Sequence, residues 1–194
     1  MNELIFISIG SNCDVASRLR SFNARLMAFP FDWNLCSLCM IYNILKNDFD
    51  GFLSNIYIGD EIKRFYIDEK CSSSNEIIIP VICKRYNVMF PHDLKKNENI
   101  DNVKNKYMRR ISRFREMIND TSKTIYLVHN NNTFGLNDWQ KEVYCKYNKD
   151  ILTDILDFNS NEYLLKIHSL FKHKPNINII GLGEVKSIIN KYTK

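Results

Sequence analysis

The chain has 194 residues, 45% of them hydrophobic and 25% charged, with 27 basic against 22 acidic side chains for a net charge of +5. A chain this long buries roughly two-thirds of its extended surface, enough for one core without disulfide or metal support, so a single domain is expected over residues 1–194. The balance excludes a disordered or collagen-like chain, and no apolar run reaches the roughly 20 residues of a membrane span. Without a basic leader, a cytoplasmic setting with mostly reduced thiols is expected for the 6 cysteines.

Residues 4–9 are an apolar run closed by Gly10-Ser11-Asn12, after which Val15, Ala16, Leu19 and Phe22 recur at helical spacing. The pattern predicts a strand, a tight turn and a helix opening near Asn12, with Asn12 as N-cap and Asp14 in the first turn. Phe29-Pro30-Phe31-Asp32-Trp33 breaks the period, and Asp32 or Asn34 is expected to cap a second helix through Leu38 and Leu45. Residues 49–70 read as loops with short strands, and Ser72-Ser73-Ser74-Asn75 as a turn. Strands are predicted over residues 77–81 and 86–90, flanking Cys83-Lys84-Arg85, with Pro80 marking an edge or an end. Val103, Tyr107, Ile111, Phe114 and Ile118 then form one apolar stripe on the clearest helix.

Residues 124–128 read as a strand stopped by Asn130-Asn131-Asn132. Ile151, Ile155 and Leu156 mark one helix, and Leu164, Ile167, Leu170 and Phe171 another. A strand over residues 177–180 and a helix over 185–192 close the chain. Strands alternating with helices predict an α/β or α+β layered domain with a central sheet and flanking helices.

Cys13, directly after the expected N-cap, is the first candidate for chemistry. The opening turn of a helix favours thiolate, and its amides can receive an oxyanion; the plain alternative is a small buried thiol. A thiol nucleophile needs a base. His92 follows the strand over residues 86–90 in Met89-Phe90-Pro91-His92-Asp93, and His129 ends the strand before the asparagines. His168 and His173 fall in or near a lysine-rich terminal helix and read as surface residues. Asp32, Asn130 and Asn131 are candidates to orient the imidazole. Asp93 is adjacent to His92, but successive side chains on extended backbone point to opposite faces. The aromatics Phe29, Phe31 and Trp33 either wall a cleft or anchor the core.

The remaining signals are weaker. Cys36 and Cys39 form a CxxC, yet Cys71 and Cys83 lack the paired spacing of a zinc knuckle, so core thiols and no cofactor are expected. Arg109, Arg110, Arg113 and Arg115 make a basic helix, but no nucleic-acid-binding signature accompanies them. Gly181-Leu182-Gly183 lacks the third small residue of a dinucleotide loop and reads as a turn.

Ser8-Ile9-Gly10-Ser11-Asn12-Cys13, Phe29-Pro30-Phe31-Asp32-Trp33, Met89-Phe90-Pro91-His92-Asp93 and the stretch from Lys106 to Phe114 resemble, in that order, segments of an uncharacterised family of papain-like cysteine peptidases, a "domain of unknown function". The resemblance implies a papain-like cysteine hydrolase with Cys13 as nucleophile and His92 as base. It further implies a peptide or other acyl or amide substrate. Residues 7–12 lack the glutamine that supplies an oxyanion donor in papain-like enzymes, so the Cys13 amide with Asn12 or Ser11 is expected to take that place, with Trp33 in the cleft wall. The same pair would also serve thioesterase or acyltransferase chemistry, and a binding domain on the same scaffold is the alternative.

Overall fold

The computed structural model describes residues 3–10, 13–67, 73–130 and 160–192. In chain order the described elements are β1 (Glu3–Ser8), α1 (Cys13–Ser21), α2 (Leu38–Lys46), β2 (Ile56–Ile58), β3 (Ile62–Ile67), β4 (Ser73–Ile78), β5 (Val81–Cys83), β6 (Val88–Phe90), α3 (Ile100–Asn119), β7 (Lys123–His129), α4 (Ser160–Phe171), β8 (Ile177–Gly181) and α5 (Val185–Tyr192). A short 3₁₀ turn, Leu182–Glu184, leads from β8 into α5.

β1, β7 and β8 form a parallel sheet with β7 in the middle, Ser8 opposite Val128 and His129 opposite Gly181. Parallel sheets are covered on both faces, and alternate side chains serve the two sides. Phe6, Val128 and Ile180 pack with Val15 and Leu19 of α1 and Val185 of α5. Ile5, Ile7, Ile125, Leu127 and Ile177 belong to the larger core shared with α2, α3 and α4. There the α3 stripe meets the aromatic segment: Phe114 stands edge-on to Phe31 at 6.3 Å and to Phe49 at 5.5 Å, and Tyr107 lies 4.4 Å from Phe90. β2, β5 and β6 make an antiparallel sheet, and β3 with β4 a two-stranded ribbon. The architecture is mixed α/β, with helices flanking small sheets.

Three local expectations are corrected. Ser37, neither Asp32 nor Asn34, caps α2, its Oγ accepting from the Met40 amide at 3.2 Å. The reason is a bridge between Leu35 and Met89, with amide-to-carbonyl distances of 2.8 and 3.1 Å, which keeps the chain extended up to the cap. Ser73, Ser74 and Asn75 lie in β4, paired with Ile67, Tyr66 and Phe65, rather than in a turn. The strands around Cys83 are also redistributed. Pro80 separates β4 from β5, Cys83 ends β5, and Asn87, at a φ of 53°, turns the chain so that β6 begins only at Val88. The expected helix through Ile151, Ile155 and Leu156 lies outside the described residues.

Candidate functional site

The direction of β1, β7 and β8 brings their carboxyl ends to one edge of the parallel sheet, where open sheets of this kind bind ligands. Beyond β1 the buried Ser8 hydroxyl accepts from the Gly10 amide at 3.4 Å. The chain then enters α1, whose first residue is the half-buried Cys13. Asp14 follows in the first turn and pairs with Arg18 one turn later, Oδ1 to Nε 3.2 Å. Ser11 and Asn12, expected to cap the helix and line the oxyanion site, lie outside the described residues.

Asn130, just past the end of β7, comes to this edge on the α1 side. It lines an open cleft of about 410 Å³ with Asp14, Arg18, Phe22, Gly183 and Lys186. Asn131 lies outside the described residues. His129 shares the alternation of Ile125 and Leu127 and lines a separate cavity of about 290 Å³ with Leu164 and His168 of α4. Burial holds this imidazole below the ordinary histidine range, against the opposing pull of the Asn130 backbone and the Glu184 carboxylate. Its Nδ1 is buried without a hydrogen-bond partner. A neutral ring with an open nitrogen is competent to accept a proton.

His92 is exposed in the bend after β6. Cys13 and His92 therefore follow strands of different sheets. Asp93 turns the other way, as alternation requires, and is 5% exposed. The Tyr107 hydroxyl donates to its Oδ2 at 2.5 Å, Lys106 Nζ donates to Oδ1 at 3.1 Å, and Arg110 Nη2 stands 3.8 Å from Oδ1.

Asp32 is equally occupied. Its Oδ2 accepts from Arg25 Nη2 at 2.7 Å, from Arg25 Nε at 3.0 Å and from the Phe29 amide at 2.9 Å. Burial pushes its pKa up, with Arg25, the Phe29 amide and the more distant Arg110 charge opposing. The Arg25 guanidinium also lies 5.3 Å from the ring centre of the half-buried Trp33. Arg113 Nη1 donates to the Ala28 carbonyl at 3.0 Å, fastening α3 to the same segment. Tyr107, Lys106 and Arg110 thus tie Asp93 to α3, and Arg113 ties α3 to the segment that Asp32 braces, so three of the motif segments are held together.

Three of the four arginines of the basic helix are engaged with the protein itself. Arg110 is buried, with Nη1 unpartnered, Arg113 holds Ala28, and Arg115 holds Asp48 through Nε at 3.0 Å. Removing the Tyr107 hydroxyl (Tyr107→Phe) leaves Asp93 one buried donor short. It is expected to destabilise the fold by about 1–2 kcal/mol in urea denaturation. An unchanged midpoint would mean that this hydrogen bond contributes nothing net.

Cys36 and Cys39 straddle the Ser37 cap. Cys36 is fully buried, its Sγ 3.1 Å from Asn34 Oδ1, and burial alone drives its thiol far above the ordinary range. Burial likewise raises Cys83, against the amides of Tyr86 and Arg85. Cys39 receives the Asn43 amide at 3.6 Å. Among the described residues no three metal-ligating side chains cluster, and Cys71 and Cys145 lie outside them. No helix among the described residues is long and apolar enough to cross a membrane.

The family profile described as "Putative papain-like cysteine peptidase", a domain of unknown function (DUF1796), matches residues 4–144. An uncharacterized protein of Acanthamoeba polyphaga mimivirus is 27% identical over 207 residues, covering 98% of this chain and 86% of that protein. No solved structure matches the chain significantly.

Proposed function

The chain belongs to this papain-like cysteine peptidase family of unknown function, and on that premise we propose that it is a cysteine-dependent hydrolase with Cys13 as nucleophile and His92 as base. The observation that carries the reading is the position of Cys13, opening α1 at the carboxyl edge of the parallel sheet. First-turn amides of a helix have no intrahelical acceptor, and the dipole there stabilises negative charge.

In the proposed reaction the imidazole takes the thiol proton, and Sγ bonds to the carbonyl carbon of an amide or ester. The α1 amides, with Ser11 and Asn12, receive the oxyanion. Collapse breaks the bond to the leaving group, which carries away the imidazolium proton. Water, deprotonated by the same ring, then attacks the thioester, and the thiol and a carboxylate are released. Asn130 is the favoured group to orient the imidazole, because the Asp32 carboxylate already accepts three hydrogen bonds. Trp33 is assigned to the substrate wall. A thioesterase or acyltransferase would share the first half of this sequence.

Acylation tests it directly. Treating the full chain with p-nitrophenyl acetate and mapping the adduct by mass spectrometry should locate a thioester on Cys13, formed faster than on the urea-unfolded chain. A Cys13 no faster in the folded chain would overturn the enzyme reading. The non-catalytic binding domain would then hold, a reading already favoured by one feature: His92 faces solvent while Asp93 is committed to the interior.

A further inference from the structure

We infer that the cleft beside the first turn of α1 holds an anionic group of the substrate, a carboxylate or a phosphate, through Lys186 and Arg18. The inference rests on the proposed role of Cys13 only in making that anion part of the acyl substrate. The cleft opens at the carboxyl edge of the parallel sheet and is bounded by α1, the end of β7 and the start of α5. At about 410 Å³ it has room for a small molecule.

Its charge is asymmetric. Among the described residues that line it, Arg18 and Lys186 stand with the Asp14 carboxylate, which Arg18 meets through Nε, leaving both Nη groups of Arg18 as donors. Lys186 pairs with no described carboxylate. Its Nζ stands 4.8 Å from the centre of the Phe22 ring, a contact that keeps the ammonium at the cleft wall while leaving its protons to a ligand. Asn130, whose side chain is assigned above to the imidazole, borders the same cleft and offers its backbone as a reporter of binding. Gly183 lines the cleft as well, and an added Cβ there would meet no described atom within 4 Å. A flat cation and a point cation on one cleft suit a carboxylate or phosphate rather than a neutral side chain.

The empty space over Gly183 supplies a test that spares the fold. Glutarate and inorganic phosphate are titrated separately, at fixed ionic strength, into the isotope-labelled full chain and followed by amide chemical shifts. Saturable shifts centred on Asn130 and Gly183 are expected with at least one anion, and the responding anion names the chemistry. Lys186→Gln should weaken binding roughly tenfold, Gly183→Leu should block it, and Cys13→Ala should leave it unchanged. Iodoacetate and iodoacetamide then report on the thiol, with Lys186→Gln lowering the iodoacetate-to-iodoacetamide rate ratio at Cys13. No saturable response, binding indifferent to Lys186→Gln and Gly183→Leu, or a ratio that does not move each overturns the inference. Because the titration needs no catalysis, an inert Cys13 with intact anion binding would refute the hydrolase and not the anion site.

Discussion

At neutral pH iodoacetamide is expected to alkylate Cys13 at least ~100-fold faster than Cys36 or Cys83 in the folded chain. Burial raises the pKa of both latter thiols, so they stay protonated at pH 7 and react only as the chain opens. Cys13 is half-buried at a helix start, where thiolate is favoured. The pH profile of the Cys13 rate then separates the two candidate bases. If His92 supports the thiolate, His92→Ala shifts the profile to higher pH and His129→Ala does not. If the neutral, half-buried His129 is the partner, the effects are reversed. Cys13→Ala should lower turnover of any acyl substrate by ~1000-fold or more with little change in fold. Profiles that move in neither histidine variant would leave Cys13 without a base and favour the binding domain.

The parts of the fold legible in sequence are those with a strong local period. The run ending at Ile9 reads as a strand, and Val15, Ala16 and Leu19 as one face of a helix, so the sequence pattern places Cys13 at their junction. The α3 stripe and the closing β8–α5 pair were readable for the same reason. Short strands within residues 49–70 were readable, but β4 was not: the polar Ser73-Ser74-Asn75 carries no alternation, and cross-strand pairing overrides its turn propensity. The roles of the aspartates were hidden more deeply. Arg25 reaches Asp32 across seven residues and Tyr107 reaches Asp93 across fourteen, and neither spacing belongs to a helix or a strand. Both carboxylates are engaged by partners that no local period announces, and the cleft depends on sheet order bringing Lys186 to Arg18. Arg18 stands at i+4 from Asp14, but nothing local singled out either Arg18 or Lys186 as a ligand group.

Arg25→Ala is expected to lower the unfolding free energy at pH 7 by about 3 kcal/mol, because it strands a buried carboxylate. Asp32 is 1% exposed, and of its three hydrogen bonds only that from the Phe29 amide survives the change. The effect must depend on pH. Burial already raises the folded pKa of Asp32 above its ordinary 3.8, so the native state holds this proton more tightly than the unfolded chain. The contribution of Asp32 to stability therefore falls as pH rises from 3.8 through the folded value. Arg25 limits that fall, and without it the folded pKa climbs further and the loss deepens. Below 3.8 the carboxyl is protonated in both states, and the variant lacks only hydrogen bonds and the packing over Trp33. Urea titrations near pH 4 and at pH 7 should show a difference between wild type and Arg25→Ala that widens with pH. Arg25→Met, which keeps the contact with the indole, should show the same widening with a smaller offset. In an Asp32→Asn background, with no carboxylate to strand, Arg25→Ala should cost under about 1 kcal/mol. A penalty independent of pH and undiminished by Asp32→Asn would assign the role of Arg25 to packing on Trp33 alone.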